Sequence, residues 1–196
     1  MKSLASLCTF TVLVLISFVL NADAQKRRPV AKPTPTPIAK PGTVAKQTTP
    51  VIVKNCPASG LSDTEVADIL GSHNKERADV KVPLLIWDCT LSKAASAWVA
   101  NGIAGHSETP YGENVFVSSE SDDKVTKAVD KWRDEHHHWN NKSGTCDSGK
   151  TCTHYTQIVW RSTKRIGCAI NRNAPGKWKV IMVCNYDPSA MTGPAY

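Results

Sequence analysis

The chain has 196 residues and a formal charge of +7, and the excess sits at one end. Residues 25–55 carry seven cations and no acid, whereas residues 56–196 carry 16 of each sign. A neutral folded part excludes a nucleic-acid-binding domain on charge grounds, and its roughly 140 residues suit one domain with one core.

Lys2 precedes an apolar run from Leu4 to Leu20, closed by Ala22-Asp23-Ala24. A charged start, a short apolar core and an Ala-x-Ala site read as a secretory leader over 1–24. The competing reading is a membrane anchor, for which roughly 17 residues are barely enough to cross about 30 Å. A cleaved leader takes Cys8 with it and sends the product outside the cell. Residues 25–55 then hold Pro29, Pro33, Pro35, Pro37, Pro41 and Pro50 and no aromatic residue. Such a stretch buries too little surface to offset its ordering entropy, so it reads as an extended linker. Its cations suit an acidic cell wall or an anionic membrane, and a plain soluble spacer fits as well.

The remaining segment, 56–196, holds Cys56, Cys89, Cys146, Cys152, Cys168 and Cys184. An even count behind a leader reads as three disulfides. Cys168 and Cys184 fall on strands joined by a turn, Cys146 and Cys152 close a short loop, and Cys56 pairs with Cys89 by elimination. No Cys-x-x-Cys pair points to a structural zinc site. Asn141-Lys142-Ser143 is a glycosylation sequon, usable in an organism that glycosylates.

Within this segment Ser62 caps a first helix, with Glu65 reaching back and Leu61 stapling onto Val66. Val66, Ile69, Leu70 and His73 keep helical spacing, and Pro83 closes the segment. A second helix opens at Thr90, with Leu91, Ala94, Ala95 and Trp98 on one face, and ends near Gly102 or Gly105. A third is expected from Asp123 to Trp139, its stripe running Val125, Ala128, Val129, Trp132, then Glu135 or His136, then Trp139. Strands are expected at Glu113–Val117, Tyr155–Trp160, Arg165–Asn171 and Trp178–Tyr186, with turn residues at Asn173-Ala174-Pro175-Gly176. Helices early and antiparallel strands late give an α+β layered domain.

Glu135 lies on an apolar stripe, where a carboxylate needs a partner or a wet cavity; a Glu at the stripe's edge that reaches water fits the same pattern. The neighbouring His136-His137-His138 run points in three directions on a helix. Taken singly, His106 and Glu113 read as ordinary surface residues. His154 opens the segment His154-Tyr155-Thr156-Gln157-Ile158-Val159-Trp160, which continues to Gly167-Cys168 and is followed by Cys184-Asn185-Tyr186-Asp187-Pro188. With His106-Ser107, Gly112-Glu113-Asn114 and Trp132-Arg133-Asp134-Glu135, these words resemble the CAP superfamily. That group comprises the cysteine-rich secretory proteins, insect antigen 5 and plant pathogenesis-related class 1 proteins. The resemblance covers about residues 62 to 188.

The resemblance implies a three-layer α-β-α sandwich with a central antiparallel sheet, stabilised by disulfides. It also implies a cleft lined by His106, His154, Glu113 and Glu135, a set of donors suited to a divalent ion such as zinc. From the family comes the expected role, extracellular binding of a sterol or similar lipid in a defence or host-interaction setting. The loop from Trp139 to Cys152, pinned by Cys146–Cys152, is the candidate contact, and the protein is expected to act as a monomer. The alternatives are a metal-dependent hydrolase using the four His and Glu residues, and a scaffold that binds a wall or partner through its basic stalk. No His-Glu-x-x-His or Gly-x-Ser-x-Gly motif is present. The chain departs from plant members in its tail, Pro188 to Tyr196, which is shorter than the plant segment released as a signalling peptide and lacks its Gly-Asn pair.

Overall fold

The structure is a computed structural model that describes residues 54–196; the expected leader and nearly all of the linker lie outside the described residues. Ser62 starts α1 (Asp63–Asp79) with a reciprocal cap: Glu65 N–H donates to Ser62 Oγ at 3.2 Å and Ser62 N–H to Glu65 Oε2 at 2.9 Å. Leu61 and Val66 meet in the same core. After β1 (Ile86–Trp87), Asp88 accepts the N–H groups of Thr90 and Leu91. That cap sets α2 at Cys89–Val99, a residue earlier than Thr90 and clear of the glycines beyond.

Then come β2 (Gly112–Ser118) and α3 (Val125–Asp134). The third helix stops short of Trp139. Its last turn tightens into a 3-10 turn over Glu135–His138, and Trp139 leaves to pair with Cys146. That pairing is the hairpin of β3 (Trp139–Asn140) and β4 (Thr145–Cys146), tied at its far end by the Cys146–Cys152 disulfide. The chain closes with α4 (Thr153–Val159), β5 (Arg165–Asn171) and β6 (Val180–Asp187).

The strands form one sheet in the order β1-β5-β6-β2, with a separate two-stranded β3-β4 ribbon. The layered α+β expectation holds. The sheet, however, is mixed: β2, β6 and β5 are antiparallel, and β1 runs parallel to β5. The long crossover between β1 and β5 makes a parallel pair possible.

Period-2 alternation explains why β6 is central. Val180, Met182, Cys184 and Tyr186 face the core that includes residues of α1, α3 and α4, while Ile181 and Val183 face α2. Cys168 and Cys184 lie directly opposite each other and form a disulfide; Cys56 bonds Cys89 at the start of α2. Gly167 lets α2 lie against β5, because a Cβ there would stand 2.3 Å from Asp88 O and Ser92 N.

The segment Tyr155–Trp160, expected to be a strand, is instead α4, and only Trp160 is extended. Its β-branched and aromatic residues favour a strand locally, but charges from elsewhere in the chain hold both ends of a helix. Buried Arg77 of α1 donates to the carbonyls of Ile158 and Trp160 at 2.8 and 2.9 Å, and to Thr163 and Pro83. Glu135 supplies the other end, described below. A cation at the C-terminus and an anion at the N-terminus both stabilise a helix.

Candidate functional site

The site is built around the edge strand β2. Its side chains alternate, so Glu113 shares a face with Val115 and Val117, and Asn114 shares the other with Phe116. Glu113 reaches the loop after α2, and Asn114 reaches α4. Neighbouring residues thereby hold two structures on opposite faces of one strand.

On the first face, Glu113 Oε1 accepts from Ser107 N–H at 2.8 Å and from His106 Nδ1 at 2.9 Å, and Oε2 accepts from Ser107 Oγ at 2.6 Å. The Glu113 side chain is only 6% exposed, whereas that of His106 is 65% exposed. On the second face, Glu135 Oε1 lies 2.5 Å from His154 Nδ1, and Oε2 accepts the N–H groups of His154 and Tyr155 at 2.9 and 3.1 Å. One carboxylate thus caps α4 and orients its imidazole. Here both side chains are sheltered, at 25% for His154 and 15% for Glu135. The Trp132 ring stacks on His154, with centroids 6.1 Å apart and planes 15° apart.

Behind His154 runs a buried chain of hydrogen bonds. Asn114 Nδ2 donates to the His154 carbonyl and to the Tyr186 hydroxyl, each at 3.1 Å. Tyr186 Oη lies 2.8 Å from His73 Nε2, and His73 Nδ1 lies 2.8 Å from the Ile69 carbonyl. Since Ile69 O can only accept, His73 carries its proton on Nδ1, and its Nε2 accepts a hydrogen bond from the Tyr186 hydroxyl. Burial holds His73 at about 4, with Arg77 and Arg133 adding to the shift. Burial also raises Tyr186 well above the usual phenol range, so this chain is neutral.

Sequence reading passed over Asn114, Tyr186 and Arg77 as functional residues. A buried Arg and a buried Tyr read alike with any others, and no local spacing marks them as supports of a helix far along the chain.

Two grooves meet on the first turn of α4. One, of about 390 Å³, is lined by His106, Glu113, Tyr111, Gln157 and Ser189 among others; Gly112 leaves room there for Gln157 Oε1, which a Cβ would meet at 2.0 Å. The second, of about 340 Å³, is walled by Trp139, Trp160, Met191 and the Cys146–Cys152 disulfide. Thr153, Thr156 and Met191 line both. The expected loop residues Trp139, Cys146 and Cys152 are therefore brought together, with Trp160 and Met191 added to them. Trp139 also packs against the core with part of its ring.

The four His and Glu residues form two separate pairs. Among the described residues no group of three or more His, Cys, Asp or Glu side chains is placed to hold a metal ion. Each pair nevertheless suits a ligand role. A carboxylate on Nδ1 fixes the tautomer that leaves the Nε2 lone pair as the metal-binding atom, the usual support of a metal-binding histidine. The glutamates here orient the imidazoles through Nδ1.

Comparison with known proteins agrees with this architecture. A family model, the cysteine-rich secretory protein family (CAP), matches residues 70–186. Pathogenesis-related protein 1B of Nicotiana tabacum is 40% identical over 125 residues, covering 62% of this chain and 73% of that protein. Pathogenesis-related protein PRMS of Zea mays is 39% identical over 134 residues, covering 65% and 78%. Among solved structures, that of NaASP2 with Zn2+ has a similar fold, with a TM-score of 0.60 at 24% identity over 72% of this chain and 88% of that one.

Proposed function

The chain belongs to the CAP family, and from that membership we propose that it is a secreted protein that binds a sterol or similar lipid in the groove walled by Trp139 and Trp160. The observation that carries the reading is the groove itself. Two indole rings, a disulfide and a methionine side chain line a space of about 340 Å³, within the roughly 300–1,000 Å³ typical of small-molecule sites. Burying a rigid apolar ring system there would gain about 25 cal/mol per Å². The disulfide holds the hairpin beforehand, which lowers the ordering cost of binding. Three disulfides suit an oxidising compartment, and the likeness to pathogenesis-related proteins suits a defence setting.

Radiolabelled cholesterol binding tests the reading on wild type, Trp139→Ala, Cys146→Ser with Cys152→Ser, and Glu113→Ala with Glu135→Ala. Binding should be lost in the first two variants and kept in the third. Loss confined to the glutamate variant, or no binding by any folded form, counts against it.

A second reading is favoured by the Nδ1 contacts of the imidazoles: Glu113 and Glu135 hold Nδ1 of His106 and His154, which leaves each Nε2 lone pair able to bind a divalent ion. Such an ion would supply a positive centre at the polar groove. Zinc calorimetry on wild type and a His106→Ala, His154→Ala variant separates this from lipid binding. Equal heats from both would remove it.

A further inference from the structure

The sequon and the tail, far apart in the chain, meet in the structure. Asn141 lies in the turn of the β3–β4 hairpin and is partly buried. Its Oδ1 accepts from Ala195 N–H at 2.7 Å, from Tyr196 N–H at 3.2 Å and from the Trp139 indole at 3.4 Å. Its Nδ2 donates to the Tyr196 carbonyl. One side-chain amide thus pairs with the backbone of Tyr196 on both of that residue's polar groups, as a neighbouring strand would.

The segment 191–196 is seated by other groups as well: Tyr196 packs against the core and is hydrogen-bonded to Tyr155. Ala195 is buried, its carbonyl accepts from Arg161 N–H at 2.8 Å, and the backbones of Gly144 and Gly193 touch, so that a Cβ on Gly144 would stand 2.8 Å from Gly193 C. The same segment supplies Met191, Thr192 and Gly193 to the wall of the Trp139–Trp160 groove.

We infer that Asn141 is a modification-sensitive latch: it holds either the strap 191–196 or an N-linked glycan, and glycosylation opens the strap side of the groove. The reason is the geometry of the amide. An edge that pairs with both N–H and C=O of one residue presents Oδ1 and the N–H cis to it. A sugar on Nδ2 makes a secondary amide, which keeps its carbon substituents trans. The sugar carbon then replaces that same cis N–H and stands where the Tyr196 carbonyl is. The lone remaining N–H points along the other edge, away from Tyr196. Because the glycan is attached to Asn-x-Ser in the secretory route, its presence would decide the strap's position when the chain folds. This rests on the proposed secretion of the protein, goes beyond the lipid reading, and holds whether or not the groove takes a lipid.

The test reads backbone amide exchange at Ala195 and Tyr196 by NMR in four forms of the full chain. These are unmodified protein from a non-glycosylating host, glycosylated protein trimmed to a single N-acetylglucosamine, Ser143→Ala from the glycosylating host, and Asn141→Ala. Ser143→Ala loses the sequon and keeps the amide, so it controls for the host. Exchange should be slow in the unmodified and Ser143→Ala forms and about tenfold or more faster in the other two. Protection of Ala195 in the sugar-bearing form equal to that of the unmodified form overturns the exclusion. Equal protection in Asn141→Ala overturns the latch. Failure of Asn141 to take a glycan at all overturns its role as a modification site.

Discussion

The His154–Glu135 pair and the His106–Glu113 pair share one bonding plan and differ in everything around it. In each, a carboxylate accepts an imidazole N–H together with backbone N–H from the segment that carries the histidine. His154 is stacked on Trp132, capped into a helix, and backed by Asn114, Tyr186 and His73. His106 stands on a loop with its ring mostly in water. The lesson is that one bonding plan gives a fixed dyad where the surroundings bury it and an adaptable dyad where the imidazole stands in water.

That asymmetry is open to direct attack, most severely through Arg77. Arg77→Ala leaves four carbonyls without their donor and removes the cation at the end of α4, and buried unsatisfied groups cost about 1–3 kcal/mol each. Urea denaturation should show a loss of about 4 kcal/mol or more, with the helical signal of α4 affected first. A loss under 1 kcal/mol would mean α4 holds itself. Glu135→Ala should follow with about 3 kcal/mol, since two helix N–H groups and an imidazole lose their acceptor.

Acid should weaken the fixed dyad through His73. Folded His73 stays neutral down to about 4, while in the unfolded chain it takes a proton near its ordinary 6.5. Between those values the unfolded state binds more protons, so stability rises with pH through this window. The contribution, about 3 kcal/mol, is complete above pH 6.5 and lost as pH falls towards 4. Denaturation at a series of pH values should show a shallower slope in His73→Gln, which does not titrate; identical slopes would assign the acid sensitivity elsewhere.

Effects on the adaptable dyad should be smaller. Glu113→Ala should cost about 1 kcal/mol, because the Ser107 and His106 donors can turn to water. A cost equal to that of Glu135→Ala would erase the contrast. Last, diethylpyrocarbonate followed by mass mapping should modify His106 faster than His154, in line with their exposure.

Much of this was readable in advance, for local reasons. Ser62 and Glu65 stand at capping-box spacing, and a cap acts within one turn. The strand that forms β6 is expected at Trp178–Tyr186, within two residues of its bounds, and the four His and Glu residues come from the family resemblance of the words around them. The helix at Tyr155–Val159 could not be read, because its residues favour a strand and the two charges that hold it, Glu135 and Arg77, lie on other elements. The end of α3 was misplaced for a similar reason: Trp139 is recruited by Cys146 across a hairpin.

What the amino-acid sequence determined alone was therefore whatever rests on period, cap and composition: the helices with apolar stripes, the last two strands, and the neutral domain behind a basic, proline-rich segment. Tertiary structure decided which groups act on one another. It sorted four candidate ligands into two dyads, made Glu135 a helix cap, and brought Asn141 to the backbone of Tyr196. Those outcomes depend on hydrogen bonds between groups from seven to about fifty-five residues apart, whose direction is set by packing and leaves no spacing in the chain to read.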